Sequence, residues 1–343
     1  MRSISRKATI EELCIQLNHP IEGKRANVLF QEVFFNENIS EEVIDNYIKL
    51  KYEEERAQRR EKETYLIDQL NRLQSFDWGG SKGNSFEKNI VDNYVKKIQS
   101  YDIINEEIEG SLLHSLRGYT LNSWYNHWTS ILIEDIFKDN ANILPTVGLI
   151  KKVDFFIQNI PFDLKVTYFP EQLLKEKLRD VGYGNELTRT KQICRELDIH
   201  IPSDLKDDAL KLHLQNILRE NQNSLAREFL NTLKEQKLAI VNEAKENPTE
   251  LKVWLYENQG EMRFDASNRF FLILVNEGNL VESWKLKRNI SFLKAEIDNH
   301  LNSLVQDLNT LNTEFFGQKL SKPLVVNRIF CSSIIRNKKP CRF

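Results

Sequence analysis

Two aspartates and a lysine lie close together in a segment whose pattern is typical of a β-hairpin, residues 151–167. Asp154 and Asp163 lie equally far from the pair Gln158-Asn159, and asparagine is favoured in tight turns because it tolerates positive φ. A two-residue turn there places the two carboxylates across the ladder from each other, roughly 5 Å apart at Cβ. Lys165 then shares a face with Asp163, because side chains two residues apart on a strand point the same way.

The other face of this predicted hairpin carries no polar residue, so one face is core and the other holds the charges. The apolar face consists of Val153, Phe155, Ile157, Ile160, Phe162, Leu164 and Val166. Two opposed carboxylates repel each other unless a cation joins them. Mg²⁺ takes carboxylate and phosphate oxygens and retains several waters, and a neighbouring lysine can orient or activate one of those waters. The pattern therefore predicts Mg²⁺-dependent hydrolysis of a phosphodiester, with Mn²⁺ as an expected substitute.

The segments around the hairpin predict a mixed α/β protein. Residues 120–139 have apolar residues at helical spacing, and residues 146–169 are rich in β-formers. Residues 171–250 return to charged, leucine-spaced helices. The six consecutive apolar residues at 270–275 then predict a strand that is buried on both faces.

Asp154 followed by Asp163-Leu164-Lys165 resembles the active-site motif of the PD-(D/E)xK nuclease superfamily, and the element order is similar to that of type II restriction endonucleases. The resemblance implies an α/β fold with a restriction-endonuclease-like mixed central β-sheet flanked by helices. It also implies that Asp154, Asp163 and the main-chain carbonyl of Leu164 bind the metal. Lys165 would position or activate the water.

Family members often add a glutamate from the first core helix and often have proline before the leading acid. Glu134 is the residue of this chain that matches the helix acid, and Asp135 beside it is the alternative. Val153 stands at the proline position, which is a departure from the family pattern. The acid-x-lysine triplet alone is common by chance, so the prediction depends on the second acid and on the apolar reverse face.

We expect a helical N-terminal region at 1–85 and a nuclease core at 86–343, with a helical insertion at 171–265. The boundary is predicted near the turn-rich stretch 77–85. Within the insertion, residues 190–214 allow two interpretations. They are either a helix-turn-helix that reads the major groove or an ordinary pair of leucine-spaced helices.

Several basic or hydroxyl side chains near these elements are candidates for contacts with the DNA backbone. One set lies in or beside the hairpin, and another precedes a predicted helix, where free amides can also bind phosphate. The candidates are Lys151, Lys152, Thr167, Lys285, Lys287 and Arg288.

Composition sets limits on the class of protein. The 343 residues include 41% apolar and 29% charged residues with a net charge of -2, which excludes disordered and low-complexity classes. Four scattered cysteines fit a reducing compartment, and no apolar run reaches the about 18 residues of a membrane span. These features predict a soluble cytoplasmic protein with no membrane contact.

The leading hypothesis is a type II restriction endonuclease that cuts a specific sequence in double-stranded DNA. We expect it to act as a homodimer, because a two-fold axis matches a palindromic target. A nuclease of DNA repair, recombination or a mobile element is the first alternative. A catalytically silent helical module that binds DNA or protein is the second.

Overall fold

The computed structural model describes the chain as a mixed α/β protein that is mainly helical. It divides into two compact units, Met1–Asn159 with Lys285–Ser303 and Ile160–Trp284 with Leu304–Phe343. The described residues are 4, 6–74, 90–147, 153–157, 160–205, 207–258, 268–306, 313–315, 318–320, 324–326 and 329–335. Among the helices so described, none combines the length and apolar character that crossing a membrane requires.

The elements follow one another along the chain with most of the strands in its second half. In order they are α1 (Lys7–Gln16), α2 (Ala26–Phe34), α3 (Glu41–Asn71), a π-helical turn (Val91–Val95), α4 (Tyr101–Glu107), a second π-helical turn (Ile108–Leu112), α5 (Leu113–Lys138), β1 (Ile143–Pro145), β2 (Phe155–Ile157), β3 (Ile160–Tyr168), α6 (Glu171–Asp180), α7 (Glu186–Glu196), α8 (Asp207–Glu220), α9 (Ser224–Glu246), α10 (Thr249–Asn258), β4 (Asn268–Leu274), a 3₁₀ helix (Leu280–Arg288), α11 (Ile290–Gln306), β5 (Thr313–Phe315), β6 (Gln318–Leu320), β7 (Leu324–Val326) and β8 (Ile329–Ile335).

Helix α3 is the longest element of the first unit. The Ser40 hydroxyl accepts a hydrogen bond from the Val43 amide at 3.4 Å, and Glu41 and Glu42 lie in the first turn, where negative charge complements the helix dipole. The helix continues without interruption through the charged stretch 51–63. That stretch is not simply a solvated face, because Arg56 is only 4% exposed.

The N-terminal helices pack around one apolar cluster. Tyr47 of α3 contributes its ring to this cluster while its hydroxyl donates to the Thr9 carbonyl at 2.9 Å, so its polar end is satisfied. Ile4 pairs with Val147 in an isolated parallel bridge. The buried members are Ile4, Ile10, Leu13, Cys14, Leu29, Val33, Ile44, Tyr47, Ile48, Tyr52 and Val147.

The second unit is organised by a mixed sheet. Strand β3 runs parallel to β4, with Asp163 in register with Arg269 and Lys165 with Phe271. Strand β4 pairs with β8 in the antiparallel sense. Residues 270–275 are each at most 1% exposed, so the prediction of a strand buried on both faces is confirmed.

Helices α6–α10 form the connection between the parallel strands β3 and β4, since parallel neighbours need a long crossover. They cover much of the predicted insertion 171–265. Helix α7 ends at Glu196 and α8 begins at Asp207, which is a longer separation than the turn of three or four residues in a helix-turn-helix. This separation favours the ordinary pair of leucine-spaced helices, and the leucines of these helices pack with one another around Cys194 and Phe229.

Several predicted features lie outside the described residues. These are the boundary near residue 85 with its turn-rich stretch 77–85, the hairpin turn Gln158-Asn159, and Lys151 with Lys152. The strands on either side of that turn are described, because β2 ends at Ile157 and β3 begins at Ile160.

Candidate active site

The predicted acid and lysine of β3 lie side by side. The Lys165 Nζ donates to the Asp163 Oδ1 at 2.8 Å, and the two side chains are 47% and 17% exposed. The alternation of the strand turns both toward the same side, as the sequence predicts. Lys165 is therefore open to solvent and Asp163 is half-buried, while the strand itself is held in the sheet.

The reverse side of β3 supplies the support. Phe162 is 2% exposed, and its ring makes an edge-to-face contact with Phe270 of β4 at 6.0 Å between centroids, a favourable geometry for aromatic pairs. Leu164 and Val166 are half-buried. Packing of this face fixes the direction in which Asp163 and Lys165 point.

Arg269 is a residue of this region that the sequence pattern did not single out. It is the β4 partner of Asp163 in the parallel register, and it is only 8% exposed. Residues in register on neighbouring strands share a face of the sheet, so Arg269 is a second cation, besides Lys165, on the same face as Asp163. Its position immediately before six apolar residues is the signal that identifies it as the charged end of a buried strand.

Thr167 also lies on β3 and is half-buried. Its hydroxyl donates to the Tyr168 carbonyl at 3.5 Å, which is at the outer limit of a hydrogen bond. It stays two residues beyond Lys165 on the same side of the strand, where the sequence predicts it.

In the first unit, Asp154 is held through its main chain. Strands β1 and β2 pair in the antiparallel sense, and Asp154 immediately precedes β2. The Thr146 hydroxyl donates to the Asp154 carbonyl at 2.7 Å, and the Thr146 amide donates to the same oxygen at 3.3 Å. These two hydrogen bonds fix the backbone from which the Asp154 side chain projects.

Glu134 of α5 is connected to this backbone through Lys138. The Lys138 Nζ lies 2.6 Å from the Glu134 Oε1, and their side chains are 10% and 33% exposed. The same Nζ donates to the Thr146 carbonyl at 3.4 Å. Lys138 was not among the predicted site residues, although its spacing of four from Glu134 is the ordinary signal for an ion pair on a helix.

Asp135, the alternative helix acid, serves a different role. Its Oδ2 accepts from the Arg59 Nε at 2.8 Å and its Oδ1 accepts from the Arg59 Nη2 at 2.7 Å. The Arg56 Nη1 lies 3.5 Å from the Asp135 Oδ2, and the Asp135 side chain is 5% exposed. Both carboxylate oxygens are thus engaged in a buried ion pair between α3 and α5, so Glu134 is the acid that the structure leaves accessible.

This buried network continues to the end of α5. The Asp139 Oδ1 accepts from the Tyr52 hydroxyl at 2.8 Å and from the Arg56 Nε at 3.0 Å. Burial alone would raise the pKa of Asp139, but the hydrogen bonds from Arg56 and Tyr52 and the charges of Arg56 and Arg60 together lower it. Asp139 is therefore held as a carboxylate.

The three predicted phosphate-binding residues before α11 separate into two groups. Lys285 and Arg288 line an open cleft. Lys287 instead is 5% exposed and donates to the Asn126 Oδ1 at 2.8 Å, and burial lowers its pKa to about 8. The predicted contact of Lys287 with DNA is therefore wrong, because its ammonium points into the protein.

The donor set of the predicted metal site consists of hard oxygen ligands. Asp163 and the Leu164 carbonyl are adjacent on β3 in the second unit, and Asp154 belongs to the first unit. Within the described ranges, no three His, Cys, Asp or Glu side chains are arranged to hold a metal. Mg²⁺ is commonly bound by only one or two carboxylates, with waters and substrate phosphate oxygens completing its shell, so this donor set fits Mg²⁺ by its chemistry.

Comparison of the chain with protein-family models, with curated proteins and with solved structures gave no match. The functional assignment consequently depends on the geometry of the side chains themselves.

Proposed function

We propose that this chain is a metal-dependent nuclease that hydrolyses phosphodiester bonds of double-stranded DNA. The observation that carries the proposal is the Asp163–Lys165 pair, which joins a carboxylate to an ammonium at 2.8 Å on the accessible side of β3. An acid and a lysine held together on a strand are the groups that metal-assisted phosphodiester hydrolysis uses.

In this proposal, Asp154, Asp163 and the Leu164 carbonyl are the protein ligands of Mg²⁺. The ion, when bound, would supply Lewis-acid stabilisation of charge on the phosphate. Lys165 orients the attacking water and stabilises the negative charge that develops on the phosphate oxygens. Glu134 assists from α5, where Lys138 holds its carboxylate.

The order of the elements supports a restriction-endonuclease-like core. A long helix, α5, precedes the antiparallel strands β1 and β2. The acid-bearing strand β3 follows, and after a helical crossover β4 lies parallel to it. This is the order that the resemblance to the PD-(D/E)xK superfamily implies.

The direct test compares Lys165→Ala with the unmodified protein on plasmid DNA in the presence of Mg²⁺. We expect loss of cleavage with DNA binding largely retained, because Lys165 acts on the reaction more than on binding. Lys175→Ala is the matched control, since Lys175 is an exposed lysine (37%) paired with an acid, Glu171 at 3.1 Å. Full cleavage by Lys165→Ala would refute the assignment.

A panel of substrates separates the possible roles. Cutting of plain duplex into discrete fragments supports restriction, whereas a requirement for branches or ends supports repair, recombination or a mobile element. Calorimetry with Mg²⁺ or Mn²⁺ on Asp154→Ala and Asp163→Ala tests for a silent module, which would show no metal uptake that depends on these acids. A homodimer is proposed on the symmetry of a palindromic target, and sedimentation with DNA tests it.

A further inference from the structure

An open cleft of about 670 Å³ lies in the first unit, between the C-terminal part of α3 and the N-terminal end of α11. Glu63, Ile67 and Asn71 line it from α3. Lys285 and Arg288 of the 3₁₀ helix and Lys294 of α11 line it from the other side. The cleft is far larger than a single phosphate group and lies open to solvent.

The charge of this cleft is positive. Three of its lining side chains are cations, and Glu63 is the one acid among the residues that line it. The charge of Glu63 is offset, because its carboxylate accepts from the Arg56 Nη2 at 2.6 Å. Three cations and one acid thus line the cleft, and that acid is paired with Arg56, which does not line it.

The two sides of the cleft are fixed relative to each other within this unit. The Arg288 Nη1 donates to the Leu70 carbonyl at 3.0 Å and also to the Leu73 carbonyl, so it satisfies main-chain oxygens at the end of α3. Arg288 therefore positions the cleft as well as lining it. Lys285 and Lys294 flank it, and Lys294 is exposed.

The start of α11 adds favourable electrostatics. Asn289, Ile290 and Ser291 line the cleft, and α11 has no acidic residue in its first turn. The first amides of a helix have no partner within the helix and carry partial positive charge. They add to the attraction that the three cations exert on an anion.

We propose that this cleft binds the phosphodiester backbone of the nucleic acid, as a site separate from the reacting acids of β3. The inference deepens the proposed function, since it assigns a binding surface for that substrate. An open groove lined by cations along both the 3₁₀ helix and α11 suits a polymer that continues beyond it. Apolar Ile67 and Ile290 between the charges suit the sugar that separates successive phosphates.

The test measures affinity for a short labelled DNA duplex in the presence of EDTA, so that cleavage plays no part. The variant is Lys285→Gln combined with Lys294→Gln, which removes two cations and spares the structural Arg288. The control is Lys7→Gln combined with Lys96→Gln, which removes equal charge from two lysines of the same unit that are 63% and 66% exposed and do not line the cleft.

We expect the cleft variant to bind the duplex at least about ten-fold more weakly than the control, and its salt dependence to be less steep by about one to two phosphate contacts. Equal affinity of the two variants overturns the proposal. Calorimetry with inorganic phosphate provides the second arm: loss of phosphate binding with unchanged duplex binding would assign the cleft to a free anion and also overturn it.

Failure of this inference and failure of the proposed function are distinguishable. The binding measurement needs neither metal nor Lys165, whereas the cleavage test depends on both. Circular dichroism of both double variants confirms that each is folded before their affinities are compared. If the cleft variant cleaves normally at low salt and binds DNA like the control, the proposed role of the cleft is wrong and the nuclease assignment is unaffected.

Discussion

Glu134 and Asp135 are neighbouring acids on α5 for which the structure predicts opposite consequences of the same substitution. Asp135→Asn should reduce stability, because the Asp135 carboxylate is buried against Arg59 and Arg56. Glu134→Gln should reduce cleavage while stability hardly changes, because Glu134 is one-third exposed and its partner is Lys138. The two substitutions therefore separate an acid that the fold requires from one that the proposed nuclease site would use.

The magnitude for Asp135 follows from its contacts. Replacing the Asp135 carboxylate with an amide removes a bidentate ion pair with Arg59 at 2.7 and 2.8 Å. It also leaves less negative charge to balance the guanidinium of Arg56, which is 4% exposed. Breaking one partner of a buried ion pair costs about 3–5 kcal/mol, and the remaining acids Asp139 and Glu63 reduce this to about 3 kcal/mol. For Glu134→Gln the loss is about 1 kcal/mol, because the glutamine oxygen can still accept a hydrogen bond from Lys138, whose Nζ also donates to the Thr146 carbonyl.

Urea unfolding followed by tryptophan fluorescence measures these differences, since Trp124 and Trp128 lie on α5, the helix that carries both acids. Asp92→Asn provides the control, because its pair with Lys96 is exposed. Cleavage of plasmid DNA at a temperature where all variants are folded gives the second readout, where Glu134→Gln should lose about ten-fold or more. An Asp135→Asn midpoint equal to that of Asp92→Asn would contradict the structural role of Asp135.

Three further predictions concern titratable groups whose pKa is lowered by their surroundings. Burial lowers the pKa of His300 to about 4, so between pH 6.5 and 4 the His300 imidazole is protonated in the unfolded chain but not in the folded one. The free energy of unfolding should therefore fall by about 3 kcal/mol as the pH is lowered over that range. His300→Gln should make the urea midpoint depend less on pH. Burial lowers the pKa of Lys287 to about 8, which means that the folded state carries the cost of a buried charge at pH 7. Lys287→Met removes that cost and loses the hydrogen bond to Asn126, so the free energy of unfolding should rise by about 2 kcal/mol. A lower melting temperature of the variant would show this to be wrong. The pKa of Glu186 is lowered, because the charge of Lys237 and hydrogen bonds from Lys237 and Gln215 outweigh the effect of burial. The ionised Glu186 therefore stabilises the fold above its ordinary pKa of 4.5, and this stabilisation is lost as the pH falls further. Acid unfolding of Glu186→Gln, followed by circular dichroism, should depend less on pH than that of the unmodified protein.

The sequence was sufficient for features that depend on local pattern. The strand at 270–275 follows from six consecutive apolar residues, and the shared side of Asp163 and Lys165 follows from the period of a strand. The start of α3 follows from the Ser40 cap and the acids after it. In each case a short stretch of residues contains all the information that the structure uses.

Features that depend on which residues meet in three dimensions were not predictable in this way. Lys285 and Lys287 are two residues apart in one basic stretch, yet one lines a cleft and the other is buried against Asn126. Helical geometry turns neighbouring side chains to different sides, and the sequence does not show which side meets α5. Arg56 is a similar case, because its burial depends on acids about eighty residues further along the chain.

The charged residues of this chain divide according to whether the fold requires them. Asp135 and Arg56 are buried, Asp139 is half-buried, and both acids pair with Arg56, so their removal is costly and folding is a sufficient reason for them. The Asp163–Lys165 pair differs, since its lysine is 47% exposed and exposed ion pairs contribute at most about 1 kcal/mol. The apolar side of β3 already anchors the strand through Phe162. Folding thus gives little reason for an acid and a lysine at these positions, whereas the proposed hydrolysis of a phosphodiester would use both.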